Sequence, residues 1–171
     1  MNKIEARQLA KVTRDNLDPK MRYIKSRTIV QKIERDQRFI NAKVIGIYYP
    51  FGSEVDISSL THKSGIIALP KIIDGKMEFI EINNKTKYKK SSFGVLEPVK
   101  GKIVSKDIDL LIVSSLAKNR LNYRLGYGKG YYDKFIMEYK PKTTIGILFN
   151  NYELDFIEDL WDIALDDYIT N

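Results

Sequence analysis

An α/β domain is the fold class this sequence predicts: a central, largely parallel sheet flanked by helices in three layers, opened by an N-terminal helical hairpin. Three observations predict it. Short apolar runs, KVIGIYY (43–49), IIAL (66–69), DLLIV (109–113) and TIGILF (144–149), have the length and β-branched content of buried strands. Stretches with helical spacing precede and separate them. No internal repeat and no Gly/Ser/Pro-rich linker divides the 171 residues, so a single domain over 1–171 is expected.

The elements follow in order. Residues 2–17 carry Ile4, Leu9, Val12 and Leu17 near helical spacing among charged residues. Asp18-Pro19 reads as an N-cap followed by proline at the first helical position. That second helix is expected to run to about Arg38 with Met21, Ile24, Ile29, Val30 and Ile33 inward. The first strand follows and stops at Pro50. Residues 54–60 could open a helix, and Gly65 precedes the second strand. MEFIEI (77–82) alternates apolar and polar residues, the pattern of a half-exposed strand. Residues 83–102 are polar and glycine-punctuated, which predicts loop with some short structure. Residues 132–139 have helical character, and DIALDDYIT (162–170) is expected to close the sheet.

Composition narrows the chemistry. There is no cysteine, which excludes disulfides and thiolate metal sites, and the single histidine, His62, argues against His-rich zinc clusters and relays. No role is assigned to His62, and Trp161, the one tryptophan, is read as packing. The N-terminus lacks the apolar stretch of a signal peptide, and no apolar run is long enough to span a bilayer, so a cytoplasmic location is expected, with no membrane partner. The net charge of +7 suits an anionic partner, yet it is spread along the chain in short clusters such as KTKYKK (85–90).

The unusual stretch is RLGYGKGYYDKF (124–135). Glycine lets backbone N–H groups converge on phosphate oxygens, and a helix starting near Tyr132 would aim its positive end at the same spot. Arg124 and Lys129 add cationic contacts. Asp133 has the hard oxygen donor that Mg²⁺ takes, and the neighbouring tyrosines could stack on a flat ring. The spacing fits neither G-x-G-x-x-G nor the P-loop pattern. From spacing alone, a glycine turn between strand and helix with tyrosines packed behind it explains the stretch equally well. Similar alternatives stand elsewhere. Lys3 and Arg7 could be the solvated face of a helix, Glu54 a helix cap, Asp162 and Asp166 surface carboxylates, and Tyr49 and Phe51 plain core.

RLGYGKGYYD resembles the signature of the 5-formyltetrahydrofolate cyclo-ligase (5,10-methenyltetrahydrofolate synthetase) family. Further segments fit in the family's order: KIEAR (3–7), YYPFGSEVD (48–56), LP (69–70), FGVLEP (93–98), DLLIV (109–113) and DIALD (162–166), so the resemblance covers nearly the whole chain. It implies an ATP- and Mg²⁺-dependent conversion of 5-formyltetrahydrofolate to 5,10-methenyltetrahydrofolate with release of ADP and phosphate. The formyl oxygen attacks the γ-phosphate, N10 attacks the activated carbon, and phosphate departs. Such chemistry asks for positioning and charge neutralisation, which suits a chain without cysteine.

The family's roles carry over by matched position. Lys3 and Arg7 would reach the ATP phosphates. Arg124, Leu125, Gly126, Tyr127, Gly128, Lys129, Gly130, Tyr131 and Tyr132 would wrap the nucleotide, with Lys129 and Arg124 neutralising charge on the transferred phosphoryl group. Asp133 and Asp162 would bind Mg²⁺, with Asp166 the alternative to Asp162. Glu54 would meet the donor edge of the pterin, while Arg7, Tyr49, Phe51, Tyr127 and Tyr131 would line the substrate pocket. Surplus positive charge would suit a glutamate or polyglutamate tail, and a monomer that binds no nucleic acid is expected.

The sequence also departs from the family. A Pro-Gly-x-Ala-Phe-Asp run usually follows the DLIIV-type strand, where this chain has SSLAKNR (114–120). A family glutamine is replaced near Tyr152, and a histidine before the late aspartate is Trp161. These changes keep two alternatives open: an ATP-dependent enzyme of the same fold with another substrate, and a non-catalytic anion- or RNA-binding paralogue.

Overall fold

The computed structural model describes residues 1–62 and 65–171; Lys63, Ser64 and the side chain of His62 lie outside the described residues. Helix α1 (Lys3–Asp15) begins on a capping box, in which Asn2 accepts from the Glu5 N–H at 2.9 Å and Glu5 accepts from the Asn2 N–H at 3.3 Å. Helix α2 (Pro19–Arg35) starts as expected, with Asp18 accepting from the N–H groups of Lys20 and Met21. It stops short of Arg38 because Asp36 is extended and caps a separate short helix, α3 (Gln37–Asn41).

The faces of the opening helices differ from the expected ones. Ile4, Leu9 and Val12 are exposed, and α1 instead buries Ala6, Ala10 and Arg14. The two alanines pack with Leu116, Ala117, Leu125 and Phe156, where small side chains let the helix axis approach closely. Lys3, Arg7, Ala10 and Arg14 therefore form one inward stripe at helical spacing. On α2, Met21 and Ile24 are exposed, and burial begins at Ser26 and continues through Ile29, Val30 and Ile33.

The main sheet holds strands β1 (Val44–Gly46), β2 (Ile66–Ile73), β3 (Lys76–Ile82), β6 (Leu110–Ser114), β9 (Thr143–Ile147) and β10 (Asp167–Ile169), in the order β10-β9-β6-β1-β2-β3. All pairs are parallel except the β2–β3 hairpin. Pro70 lies inside β2 without breaking it, since β1 pairs only with Ile66–Ala68 and leaves Pro70 one partner, Phe79. Two small antiparallel pairs stand apart: β4 (Tyr88–Lys90) with β5 (Leu96–Pro98), and β7 (Ala117–Lys118) with β8 (Arg124–Leu125). The helix considered at 54–60 is reduced to a 3-10 turn at Ser58–His62.

Period-two alternation splits the sheet residues between two cores. Ile45, Ile67, Leu110, Ile112 and Ile145 pack with Ile29, Val30 and Ile33 of α2. Val44, Ala68, Leu111 and Val113 pack with Phe135 and Ile136 of α4 (Tyr131–Tyr139). These are the three layers. From β1 the chain winds outward through β2 and β3, and from β6 in the opposite direction through β9 and β10. The order reverses between the adjacent strands β1 and β6, and in open α/β sheets the crevice beyond the carboxyl ends at such a point is the usual ligand site. No described helix is long and apolar enough to cross a membrane.

Candidate functional site

A cavity of about 1070 Å³ opens at that point. Single-ligand pockets run roughly 300–1,000 Å³, so the space suits two ligands side by side. Lys3, Arg7, Tyr49, Phe51, Glu54 and Arg124 line it, together with Gly126–Gly130 of the glycine turn, Tyr131, Tyr132, Asp133 and Asp162. The structure thus brings together the expected site residues from four separate stretches of sequence. Leu125 is the exception: its side chain is fully buried against α1, and only its backbone leads into the turn. Asp166 lies away from the cavity and accepts from the Thr144 N–H and hydroxyl at 2.8 and 3.0 Å, which ties β10 to β9.

The glycine turn forms one end. Gly128 has φ +92°, a conformation L side chains resist, and a Cβ there would stand 3.2 Å from the Arg7 guanidinium carbon. Arg7 is held over the turn by donating from Nε to the Gly126 carbonyl at 2.9 Å. Gly130 caps α4 in the left-handed conformation without a side chain on the first-turn N–H groups, so the positive end of the helix faces the cavity uncovered. The Arg124 guanidinium lies over the Tyr132 ring, 4.9 Å from its centre. Lys129 Nζ rests 3.6 Å above the centre of Phe93, at the turn joining β4 and β5.

Carboxylates stand beside this basic end. Asp133, in the first turn of α4, accepts from the Ile163 N–H at 3.1 Å. Asp162 pairs with Lys3, which also reaches Asp159 at 2.7 Å. Among the described residues no three His, Cys, Asp or Glu side chains gather as a closed cation cage. Asp133 and Asp162 offer hard oxygen donors beside the glycine turn, a donor set of the kind Mg²⁺ takes.

The other end is built on Glu54, which is 9% exposed. Its carboxylate accepts from the Phe51 N–H at 2.9 Å and from the Ser114 hydroxyl at 2.8 Å. Burial pushes the Glu54 carboxyl above the ordinary glutamate range; those two donors and the nearby Arg14 charge oppose the rise without cancelling it. Tyr49 and Phe51 face the cavity rather than the core alone, and the Tyr48 hydroxyl donates to the Val55 carbonyl at 2.8 Å, which anchors the segment.

Several residues of the site escaped the sequence reading. Ser114 belongs to a stretch noted only as a departure, and Phe93 to a motif without an assigned role. Arg14 continues the Lys3–Arg7 stripe, a signal the helical spacing carried. Trp161 lines the cavity at 64% exposure and is not packed. Tyr152 stays outside, with its hydroxyl 3.3 Å from that of Thr13.

Known proteins match this architecture. The model of the 5-formyltetrahydrofolate cyclo-ligase family matches residues 1–171. Proteins named 5-formyltetrahydrofolate cyclo-ligase from Mycoplasma genitalium and Mycoplasma pneumoniae are 31% and 32% identical over 136 and 131 residues, covering 75% and 72% of this chain and 73% and 70% of theirs. The solved 5,10-methenyltetrahydrofolate synthetase of Aquifex aeolicus superposes with a TM-score of 0.88 at 28% identity, over 99% of this chain and 90% of that one. The M. pneumoniae synthetase gives 0.80 at 26% identity, over 99% and 98%. With the signature turn, the switch-point cavity and a match along its full length, this chain belongs to the 5-formyltetrahydrofolate cyclo-ligase family.

Proposed function

We propose that the protein uses ATP and Mg²⁺ to cyclise 5-formyltetrahydrofolate to 5,10-methenyltetrahydrofolate, releasing ADP and phosphate. One observation carries the reading: a bare-backbone turn ringed by Arg7, Arg124 and Lys129 and a buried carboxylate, Glu54, open on the same cavity. The turn suits the triphosphate, and Glu54, an acceptor, suits the N–H edge of the pterin. The formyl group then lies between them, near the phosphoryl group it takes up.

In the first step the formyl oxygen forms a bond to the γ-phosphorus as the bond to the ADP oxygen breaks. Arg124, and Lys129 once it leaves Phe93, neutralise charge spreading over the equatorial oxygens. Arg7, fixed by the Gly126 carbonyl, and Lys3 hold the phosphates in place. N10 next bonds to the activated carbon, its proton passing to the departing phosphate, and the carbon–oxygen bond breaks, so the formyl oxygen leaves with phosphate. Asp133 and Asp162 would hold Mg²⁺, which would supply positive charge against the phosphates, and Lys3, paired with Asp162 in the free protein, would add its own charge from the same side. Tyr49, Phe51, Tyr127 and Tyr131 supply flat apolar surface for the ring system.

The test follows methenyltetrahydrofolate by its near-ultraviolet absorbance in a mixture of protein, Mg²⁺, ATP and 5-formyltetrahydrofolate. A rise that needs both ATP and protein is expected. No rise, with ADP released only when another substrate is supplied, would overturn the folate assignment.

A further inference from the structure

Two buried, oppositely charged groups, Arg14 and Glu54, lie near each other at this end of the cavity. Arg14 is 7% exposed and sits two helical turns beyond Arg7 on α1. Its Nε donates to the Ser53 hydroxyl at 2.9 Å, and its guanidinium donates to the hydroxyl of Tyr127 in the glycine turn. The Ser53 hydroxyl passes its own hydrogen to Asp15. With its oxygen accepting from Arg14, the Tyr127 hydroxyl keeps its own proton for another acceptor, and the Glu54 carboxylate is a neighbour.

We propose that Arg14 is a positioning residue for the folate. Held by Ser53 and Tyr127, it pins the glycine turn against the Glu54 wall and keeps Glu54 an acceptor, and Ser114 completes the arrangement from the sheet. This rests on the functional reading above. A pterin edge presents N–H donors, so the protein needs a carboxylate, which only accepts. Burial favours the neutral acid, and a permanently charged guanidinium nearby opposes that. The groups facing Glu54 are Arg14 from α1, Tyr48 after β1, Ser114 from β6, Tyr127 from the turn, and Tyr132 from α4 with Arg124 over its ring. Ser114, the first residue of the stretch in which the sequence departs from the family pattern, donates its hydroxyl to Glu54 at 2.8 Å. The altered loop therefore brings its own donor to the site.

The test measures folate and ATP kinetics from pH 5 to 8, with folate binding by calorimetry, for wild type, Arg14→Leu, Arg14→Lys and Tyr127→Phe. Loss of a charge-assisted contact implies that Arg14→Leu raises the KM and Kd for 5-formyltetrahydrofolate about tenfold. The kcat and the KM for ATP are expected to stay within about threefold of wild type, and the acid limb of kcat/KM to move to higher pH. Arg14→Lys restores most of the affinity, and Tyr127→Phe falls between. An Arg14→Leu protein that loses thermal stability while folate affinity and acid limb match wild type would overturn the inference. Should Arg14→Leu not fold, wild-type folate affinity and acid limb in Tyr127→Phe would do the same. Wild-type protein that neither binds nor converts the folate would remove the functional reading, and this inference with it, a result distinct from a variant that equals wild type.

Discussion

The two ends of the cavity handle charge in opposite ways. At the glycine turn, Arg7, Arg124 and Lys129 are solvent-accessible and stand beside bare N–H groups, with aromatic rings or a carbonyl as their resting partners. At the other end the Glu54 carboxylate is buried, and it accepts from the Phe51 N–H and the Ser114 hydroxyl. The difference suits the ligands proposed for each end. A triphosphate brings several negative charges that need mobile countercharge and a metal, whereas a neutral ring edge needs one acceptor at a fixed place. On the proposed function, catalysis should be sensitive to charge at the first end and to geometry at the second.

The largest effect belongs to the mobile end. Lys129→Ala should lower kcat at least about a hundredfold with little change in the folate KM, because its charge meets the phosphoryl group as that group transfers. Steady-state kinetics checks it, and an unchanged kcat withdraws the role. Gly128→Ala adds a Cβ at φ +92°, 3.2 Å from the Arg7 guanidinium. It should raise the KM for ATP at least about tenfold and spare folate binding, which nucleotide titration separates.

Glu54→Gln sharpens the contrast from the buried end, with an expected rise in folate KM of roughly tenfold. The same variant carries a stability signature. A carboxyl raised in the folded state contributes stability that is full below its unfolded pKa and is lost as pH rises through the folded value. Glutamine removes that loss, so Glu54→Gln should melt no lower than wild type at pH 7 while binding folate poorly. Thermal melts across pH 4–8 check it; a lower melting temperature at neutral pH contradicts the assignment. Smallest is Asp133→Asn, which should increase the Mg²⁺ needed for half-maximal rate several-fold. Its weakened bond to the Ile163 N–H is worth about 1 kcal/mol, or roughly 2–4 °C in melting temperature. A larger fall would make Asp133 chiefly a structural tie.

The same contrast explains what the sequence made legible. Buried strands announced themselves because β1 and β6 are apolar on both faces, and Asp18-Pro19 marked a helix start by local chemistry alone. The glycine turn was visible because its shape rests on backbone freedom, with Gly128 and Gly130 at positive φ, which composition records. The buried end was harder to read. Glu54 meets Ser114 sixty residues away, and Arg14 meets Tyr127 across 113 residues. Such pairings depend on β1 lying beside β6 and on α1 docking over β8, neither of which a local pattern specifies. The inward face of α1 was misjudged for a related reason. Its apolar residues suggest burial at Ile4, Leu9 and Val12, but tight approach to Leu116 and Leu125 selects the alanines.

The most direct test of the site is a crystal structure grown with Mg²⁺ and a non-hydrolysable ATP analogue. The triphosphate is expected against the backbone of Gly126–Gly130, with Lys3 released from Asp162 and the metal beside Asp133. Nucleotide bound elsewhere at full occupancy, with the turn still closed under Arg7 and the Lys3–Asp162 pair intact, would contradict the assignment.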